Sequence, residues 1–291
     1  MSPETAPSTA KHGLYLQNCH IYLDDLATPG NMVEYAVAAD EAGWDGVFLA
    51  DGLYPDFPSI DPWITLSGIA TRTSNVVLGS WITPVCRRPP WQLAHDLATL
   101  DRLSDGRVML GAGLGTEGNY TTFGEEWDPR RIARRYDEAL EVIAGLWEGS
   151  PFSYDGEFYT LEGAELPSTP VQNPRIPILL GCWWPNKKPF QRAARWDGIM
   201  PSAPSFYGSE GEQGEPVTGT IEEEVGALVE YYRSLTDDPG EILLPVDVPE
   251  APNDFADTCR ELGATWLLTS DLLGSDSHER NLERIREGPP A

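Results

Sequence analysis

"VMLGAGLGTEGNY", residues 108–120, places Gly113, Gly115 and Gly118 in a G-x-G-x-x-G pattern directly after an apolar run. In a dinucleotide-binding turn this pattern follows the first strand of a βαβ unit and opens a helix whose N-terminus holds the pyrophosphate. Here three strand-like runs already precede the glycines. The segment after them, NYTTFGEEWD, has no helical apolar period, and the next helix begins only near Pro129. A dinucleotide turn is thereby disfavoured. Two readings of the glycines stay open. They leave the main chain at a strand end bare for an anionic ligand group, or Gly111 and Gly113 relieve crowding where the strand meets its neighbours.

Outward from this stretch, short apolar runs alternate with amphipathic segments along the whole chain. Eight strand-then-helix units are predicted. The strands are Leu14–Asn18, Gly46–Ala50, Val76–Thr83, Val108–Ala112, Ile178–Gly181, Gly198–Pro201, Ile242–Val246 and Thr265–Thr269. The helices are punctuated by recognisable caps. Thr28 precedes Pro29, Asp61 precedes Pro62, and Thr220 with Glu223 has capping-box spacing. Further helices are expected over Trp91–Leu103, from about Asp128 to Trp147, near Phe190–Arg195, near Asp254–Leu262 and over Glu279–Arg286. After the fourth strand comes the longest interruption, a long helix followed by a hairpin in which Phe152–Tyr154 and Phe158–Thr160 flank a DG turn. Parallel strands need helical crossovers and closure removes both sheet edges, so the pattern points to an α/β fold, a (β/α)8 TIM barrel with an insertion after strand 4. An open doubly wound sheet is the alternative.

With 291 residues, 41% hydrophobic side chains and ten Trp, the chain can bury one large core. No composition break divides it, so residues 1–291 read as a single domain whose first twelve residues are flexible. Twenty basic against forty-six acidic residues give a net charge of -26, which repels nucleic acid and anionic lipid heads. No leader-like apolar segment and no run of eighteen apolar residues is present, which points to a soluble, cytoplasmic protein without membrane partners. Cys19, Cys86, Cys182 and Cys259 are widely spaced and read as buried thiols, and the four His show no metal-ligand spacing.

Residues 76–115, "VVLGSWITPVCRRPPWQLAHDLATLDRLSDGRVMLGAGLG", closely resemble two βα units of the bacterial luciferase-like oxidoreductases. The resemblance continues in "GEEWDPRRIARRYDEALEVIAGLWEGSPFSYDGEFYTLEGA", "PRIPILLGCWW", "RWDGIMP" and "RIREGPP" and so covers nearly the whole chain. It implies a barrel that binds coenzyme F420 or FMN at its C-terminal face. By similarity, cofactor-binding positions would be Asp51, Gly79, Ser80, Trp81, Gly111, Ala112, Gly113, Gly181, Cys182 and Met200. A non-prolyl cis peptide would fall within Gly79-Ser80-Trp81, placed at Ser80–Trp81. Relatives that use the deazaflavin often carry Asp-His at the end of strand two, where this chain has Asp51-Gly52. The histidine is missing, which leaves Asp51 and His20 as catalytic candidates.

At the strand ends, Glu117, Asn119 and Trp183 stand as substrate contacts beside Tyr120 and Trp184. Lys187 and Lys188 stand out in a chain with only three lysines and could meet an anionic tail. The implied function is oxidoreduction of a small organic substrate, by hydride transfer with F420 or by monooxygenation with FMN. A non-catalytic barrel of the same family is the alternative, and a homodimer is expected because relatives are often dimers.

Overall fold

The computed structural model describes residues 10–18, 24–53, 59–208 and 219–290. Eleven strands occur among them: β1 (Lys11–Tyr15), β2 (Gly46–Leu49), β3 (Val77–Ser80), β4 (Thr83–Pro84), β5 (Val108–Gly113), β6 (Phe152–Asp155), β7 (Thr160–Ala164), β8 (Ile178–Trp183), β9 (Gly198–Ser202), β10 (Glu241–Pro245) and β11 (Trp266–Thr269). Eight of these are joined in parallel in the order β3-β2-β1-β11-β10-β9-β8-β5. The pairing of Leu78 with Val108 and Gly79 with Met109 joins the two ends. The sheet is a closed eight-stranded barrel, as the alternation of units predicts.

The helices are α1 (Pro29–Ala42), α2 (Pro62–Ala70), α3 (Pro90–Leu103), the short α4 (Gly118–Thr121), α5 (Pro129–Trp147), α6 (Lys187–Ala193), α7 (Ile221–Arg233), α8 (Phe255–Leu262) and α9 (His278–Arg286). Their boundaries follow the caps read from the sequence. Thr28 Oγ1 accepts from the Asn31 amide at 3.2 Å, Asp61 Oδ1 from the Ile64 amide at 2.9 Å, and Thr220 and Glu223 form the reciprocal box. α6 differs, beginning at Lys187 without a side-chain cap, three residues before the expected start.

Strand three is not continuous. Val77–Ser80 and Thr83–Pro84 are separated by Trp81 and Ile82, and the cis peptide is Trp81–Ile82, one bond later than expected. The hairpin also differs. Asp155 pairs with Thr160, so its loop is four residues long, not the tight DG turn, because the Glu138 carboxylate gathers the amides of Glu157, Phe158 and Tyr159 at 2.7, 2.8 and 3.2 Å.

Two layers of apolar side chains result from the strict alternation of the strands. Leu14, Val47, Leu78, Leu110, Ile178, Leu180 and Ile199 face the helices, whereas Phe48, Met109, Leu179, Met200, Leu243, Trp266 and Leu268 fill the barrel. Filling leaves no space beside Gly79 and Gly111. A Cβ on Gly79 would lie 2.4 Å from the Phe48 ring, and one on Gly111 would lie 2.1 Å from the Ser80 carbonyl oxygen and 2.7 Å from Met200 Sδ.

Gly111→Ala is therefore expected to destabilise the protein by about 3 kcal/mol, the upper end of ordinary overpacking, because main chain and not a flexible side chain must yield. Denaturant unfolding of the variant checks this, and an unchanged midpoint would contradict the packing. Burial raises the Cys86 and Cys259 thiols to about 12 and raises Cys182 well above its usual range. A Cys19→Ser variant should accordingly leave a disulfide reagent such as DTNB unreacted at pH 8 until denaturant is added.

Candidate functional site

The strand ends converge on a shallow mouth whose floor is apolar. Tyr15 of β1 and Trp81 and Ile82 beyond β3 lie on the interior cluster and keep part of their surface open. Tyr15 and Trp81 meet edge to face with centroids 5.5 Å apart. Ile82 reaches across the mouth. A Cβ on Gly113 would lie 2.9 Å from its Cγ2, and one on Gly181 would lie 2.6 Å from its Cδ1. Of the two readings of the glycines, the structure shows crowding at Gly111, Gly113 and Gly181, whose open sides are filled by Met200 and Ile82. Gly115 is different in kind: its φ of +79° forms the sharp turn beyond β5.

The wall over β8 and β9 is aromatic. Trp183 follows Leu179 and Gly181 on the interior face of β8 and packs on Tyr207 at 5.8 Å, while the Tyr207 hydroxyl and Ser202 Oγ are hydrogen-bonded at 3.0 Å. Across the mouth, Asn119 is buried as a brace. Its Oδ1 accepts from the Thr116 amide at 3.0 Å and its Nδ2 donates to the Leu53 carbonyl at 3.5 Å, tying the loop after β5 to the loop after β2. Glu117 stands exposed at the rim.

Beside this rim lies a cleft of about 200 Å³, bounded by Asp51, Leu53, Pro84, Arg87, Arg88 and Asn119. Asp51 does not stand open in it. Arg88 Nη1 donates to Oδ2 at 2.7 Å and Nη2 to Oδ1 at 3.1 Å, and Trp63 Nε1 donates to Oδ2 at 3.2 Å. Arg88 also reaches Asp61 at 3.3 Å. Burial pulls the Arg88 guanidinium down, but the Asp51 and Asp61 carboxylates outweigh it and hold the group above its usual value.

The expected site residues therefore divide. Trp81 and Trp183 are in the mouth, Glu117 at its rim, and Asn119 beneath the rim. Gly79, Gly111 and Met200 belong to the packed interior. Ser80 is buried with its hydroxyl donating to the Gly111 carbonyl at 3.0 Å, and the Ala112 and Cys182 side chains pack in the layer between barrel and helices. His20 lies outside the described residues. Lys187 is exposed with its Nζ 3.5 Å from the Trp184 ring centroid and 3.9 Å from that of Tyr231, and Lys188 beside it is exposed as well. Arg88, Tyr15 and Ile82 were not legible as residues of this region. The doublet Arg87–Arg88, directly after a strand in so acidic a chain, was the available signal for the first.

A family model described as luciferase-like monooxygenase matches residues 8–210. The chain belongs to this family. Among curated luciferase-like relatives, an F420-dependent glucose-6-phosphate dehydrogenase of Microbacterium testaceum is 36% identical over 166 residues, 54% of this chain and 48% of that protein. One from Kineococcus radiotolerans is 30% identical over 230 residues, 74% of this chain and 67% of that protein. An F420-dependent hydroxymycolic acid dehydrogenase of Mycobacterium tuberculosis is 31% identical over 183 residues, 60% of this chain and 49% of its own. Apart from the Kineococcus protein, the chain spans about half the length of these relatives. A solved F420-dependent secondary alcohol dehydrogenase in complex with an F420-acetone adduct shares the fold, with TM-score 0.73 and 19% identity over 97% of this chain and 99% of its own. The F420-dependent tetrahydromethanopterin reductase of Methanopyrus kandleri follows with TM-score 0.69 and 17% identity over 96% and 98%.

Removing Arg88 strands a buried carboxylate. Arg88→Met should destabilise by about 2–3 kcal/mol, less than the full penalty for a buried pair because the guanidinium is partly exposed. Adding Asp51→Asn to that variant should recover part of the loss. Strict additivity of the two substitutions in urea unfolding would show that the pair is not coupled.

Proposed function

We propose that the chain is an F420-dependent oxidoreductase acting on a small hydroxyl-bearing or carbonyl-bearing substrate at the barrel mouth. The observation that carries this reading is the half-open floor of Tyr15, Trp81 and Ile82, an apolar, partly aromatic platform at the barrel face where active sites sit. A flat tricyclic ring fits such a floor, and curated relatives named as F420-dependent support F420 over FMN as its bearer. When bound, F420 supplies two-electron hydride chemistry.

The chain's own residues do the rest. Trp81 and Ile82 carry one face of the ring, with Tyr15 holding the Trp81 ring edge-on. Trp183 and Tyr207 shield one side of the mouth from water, which strengthens the polar contacts within it. Asn119 fixes the rim loop against the loop after β2. Asp51, clamped by Arg88 and Trp63, is assigned to shaping the cleft and not to carrying a proton. For the proton we assign His20, which follows β1 in the sequence, because imidazole is the side chain whose ordinary range suits proton transfer at neutral pH. FMN-dependent oxygenation is the second reading. Its support is the absent histidine after Asp51, since the deazaflavin relatives often carry Asp-His there.

Titration of the purified protein with F420 and with FMN, followed by ring fluorescence, tests the reading. Saturable binding of F420, weaker binding of FMN, and an F420 Kd about tenfold higher in Trp81→Ala are expected, tenfold being about 1.4 kcal/mol. Binding of neither at high micromolar concentration would overturn it. His20→Asn should lower kcat on an alcohol substrate while leaving the F420 Kd within about twofold.

A further inference from the structure

Gln17 differs from Leu16 and Asn18 in joining a left-handed backbone to a buried acceptor unpaired among the described residues. Its φ is +47°, a left-handed backbone that a residue with a long side chain seldom adopts. Its side chain is buried, and among the described residues Gln17 Oε1 has no hydrogen-bond partner. Its amide nitrogen is nevertheless fixed, donating to the Ser270 carbonyl at 2.6 Å. That donation settles which end of the carboxamide is the oxygen.

The surroundings hold the residue in this state. On one side, the Leu16 amide donates to the Phe48 carbonyl at 3.0 Å, continuing the ladder between β1 and β2. On the other, Asn18 exchanges bonds with Ala50, its Nδ2 donating to the carbonyl at 2.9 Å and its Oδ1 accepting from the amide at 2.7 Å. Ser270 is itself anchored, with its amide 2.7 Å from both Asp247 oxygens and its hydroxyl 2.8 Å from Asp247 Oδ1. An acceptor is thus held in place by a strained backbone and a braced partner while its own capacity goes unused. Strain and unsatisfied polar groups that the fold maintains in this way mark functional positions.

Its place is also informative. Gly13 and Tyr15 point into the barrel, the first against Phe48 and Leu268 and the second onto the floor beside Trp81. Gln17 lies two residues beyond Tyr15, just past the end of β1, where the left-handed backbone breaks the strand. We propose that Gln17 is a specificity-determining residue whose Oε1 accepts a hydrogen bond from the ligand lying over Tyr15, Trp81 and Ile82. The donor is an N–H of the cofactor ring or an O–H of the substrate, and the inference rests on the oxidoreductase reading above.

Gln17→Leu keeps the bulk and removes the acceptor. Gln17→Asn tolerates the left-handed backbone and withdraws the oxygen by one methylene, so it carries the same test where the leucine variant fails to fold. Both are compared with the unmodified protein in F420 titrations, in steady-state assays with glucose 6-phosphate and 2-propanol, and in thermal unfolding without ligand. A roughly tenfold rise in the F420 Kd assigns the donor to the ring. An unchanged Kd with a KM raised about tenfold for an alcohol assigns it to the substrate. Either supports the inference. Unchanged Kd and KM, or losses that only parallel a lowered unfolding temperature, overturn it. Failure of the unmodified protein to bind F420 or FMN instead overturns the oxidoreductase reading and the assignment to Gln17 with it.

Discussion

The Phe48 ring governs the rest of the barrel. A lumen closed by eight strands has room for few large side chains, and those present must meet small residues on their own and the neighbouring strands. Phe48 meets Gly13, Gly46 and Gly79, where an added Cβ would lie 2.8, 3.2 and 2.4 Å from its ring, and its partner Trp266 crosses it edge to face at 5.7 Å. With the lumen occupied, no ligand can descend into it. Tyr15, Trp81 and Ile82 form the upper surface of this packing and keep part of their own surface open at the barrel end.

The same constraint explains the glycine pattern of residues 108–120. Pattern alone left two readings, a main chain bared for a ligand and a strand relieved of crowding. The interior positions of β5 settle it for Gly111 and Gly113. One faces the Ser80 carbonyl and Met200, and the other faces Ile82, which also occupies the space at Gly181. These glycines make room for Met200 and for Ile82, the side chain that covers this end of the barrel.

What was legible in the sequence follows from range. Thr28, Asp61 and Thr220 act on amides two or three residues away, so the helices they open are readable from adjacent letters, and the apolar periods between them give eight units and the closed barrel. The site is different in kind. Ile82 matters because of Gly113 and Gly181, Asp51 because of Arg88 thirty-seven residues later, and Gln17 because of Ser270 at the far end of the chain. Each depends on segments that the pairing of strands distant in sequence brings together. The displaced start of α6 has the opposite origin: no side chain caps it, and Lys187 is held by Trp184 and Tyr231 instead.

Charge imposes a final condition on any ligand of this mouth. In a chain of net charge -26, cations are scarce, and the two arginines beside the mouth are already paired. Arg88 is shared by Asp51 and Asp61, Arg87 pairs with Glu125 over the Tyr120 ring, and Lys187 lies between two aromatic rings. A carboxylate or phosphate entering here meets guanidinium groups whose charge is already balanced, so recruiting one means breaking a partly buried pair, which costs more than a surface cation yields. On the proposed reading, selection within the mouth falls to shape and neutral hydrogen bonds: the aromatic floor, the Trp183 wall and the uncharged carboxamide of Gln17. That division suits a redox ring whose reacting part is flat and largely apolar, with any anionic portion left to the main-chain amides of the rim.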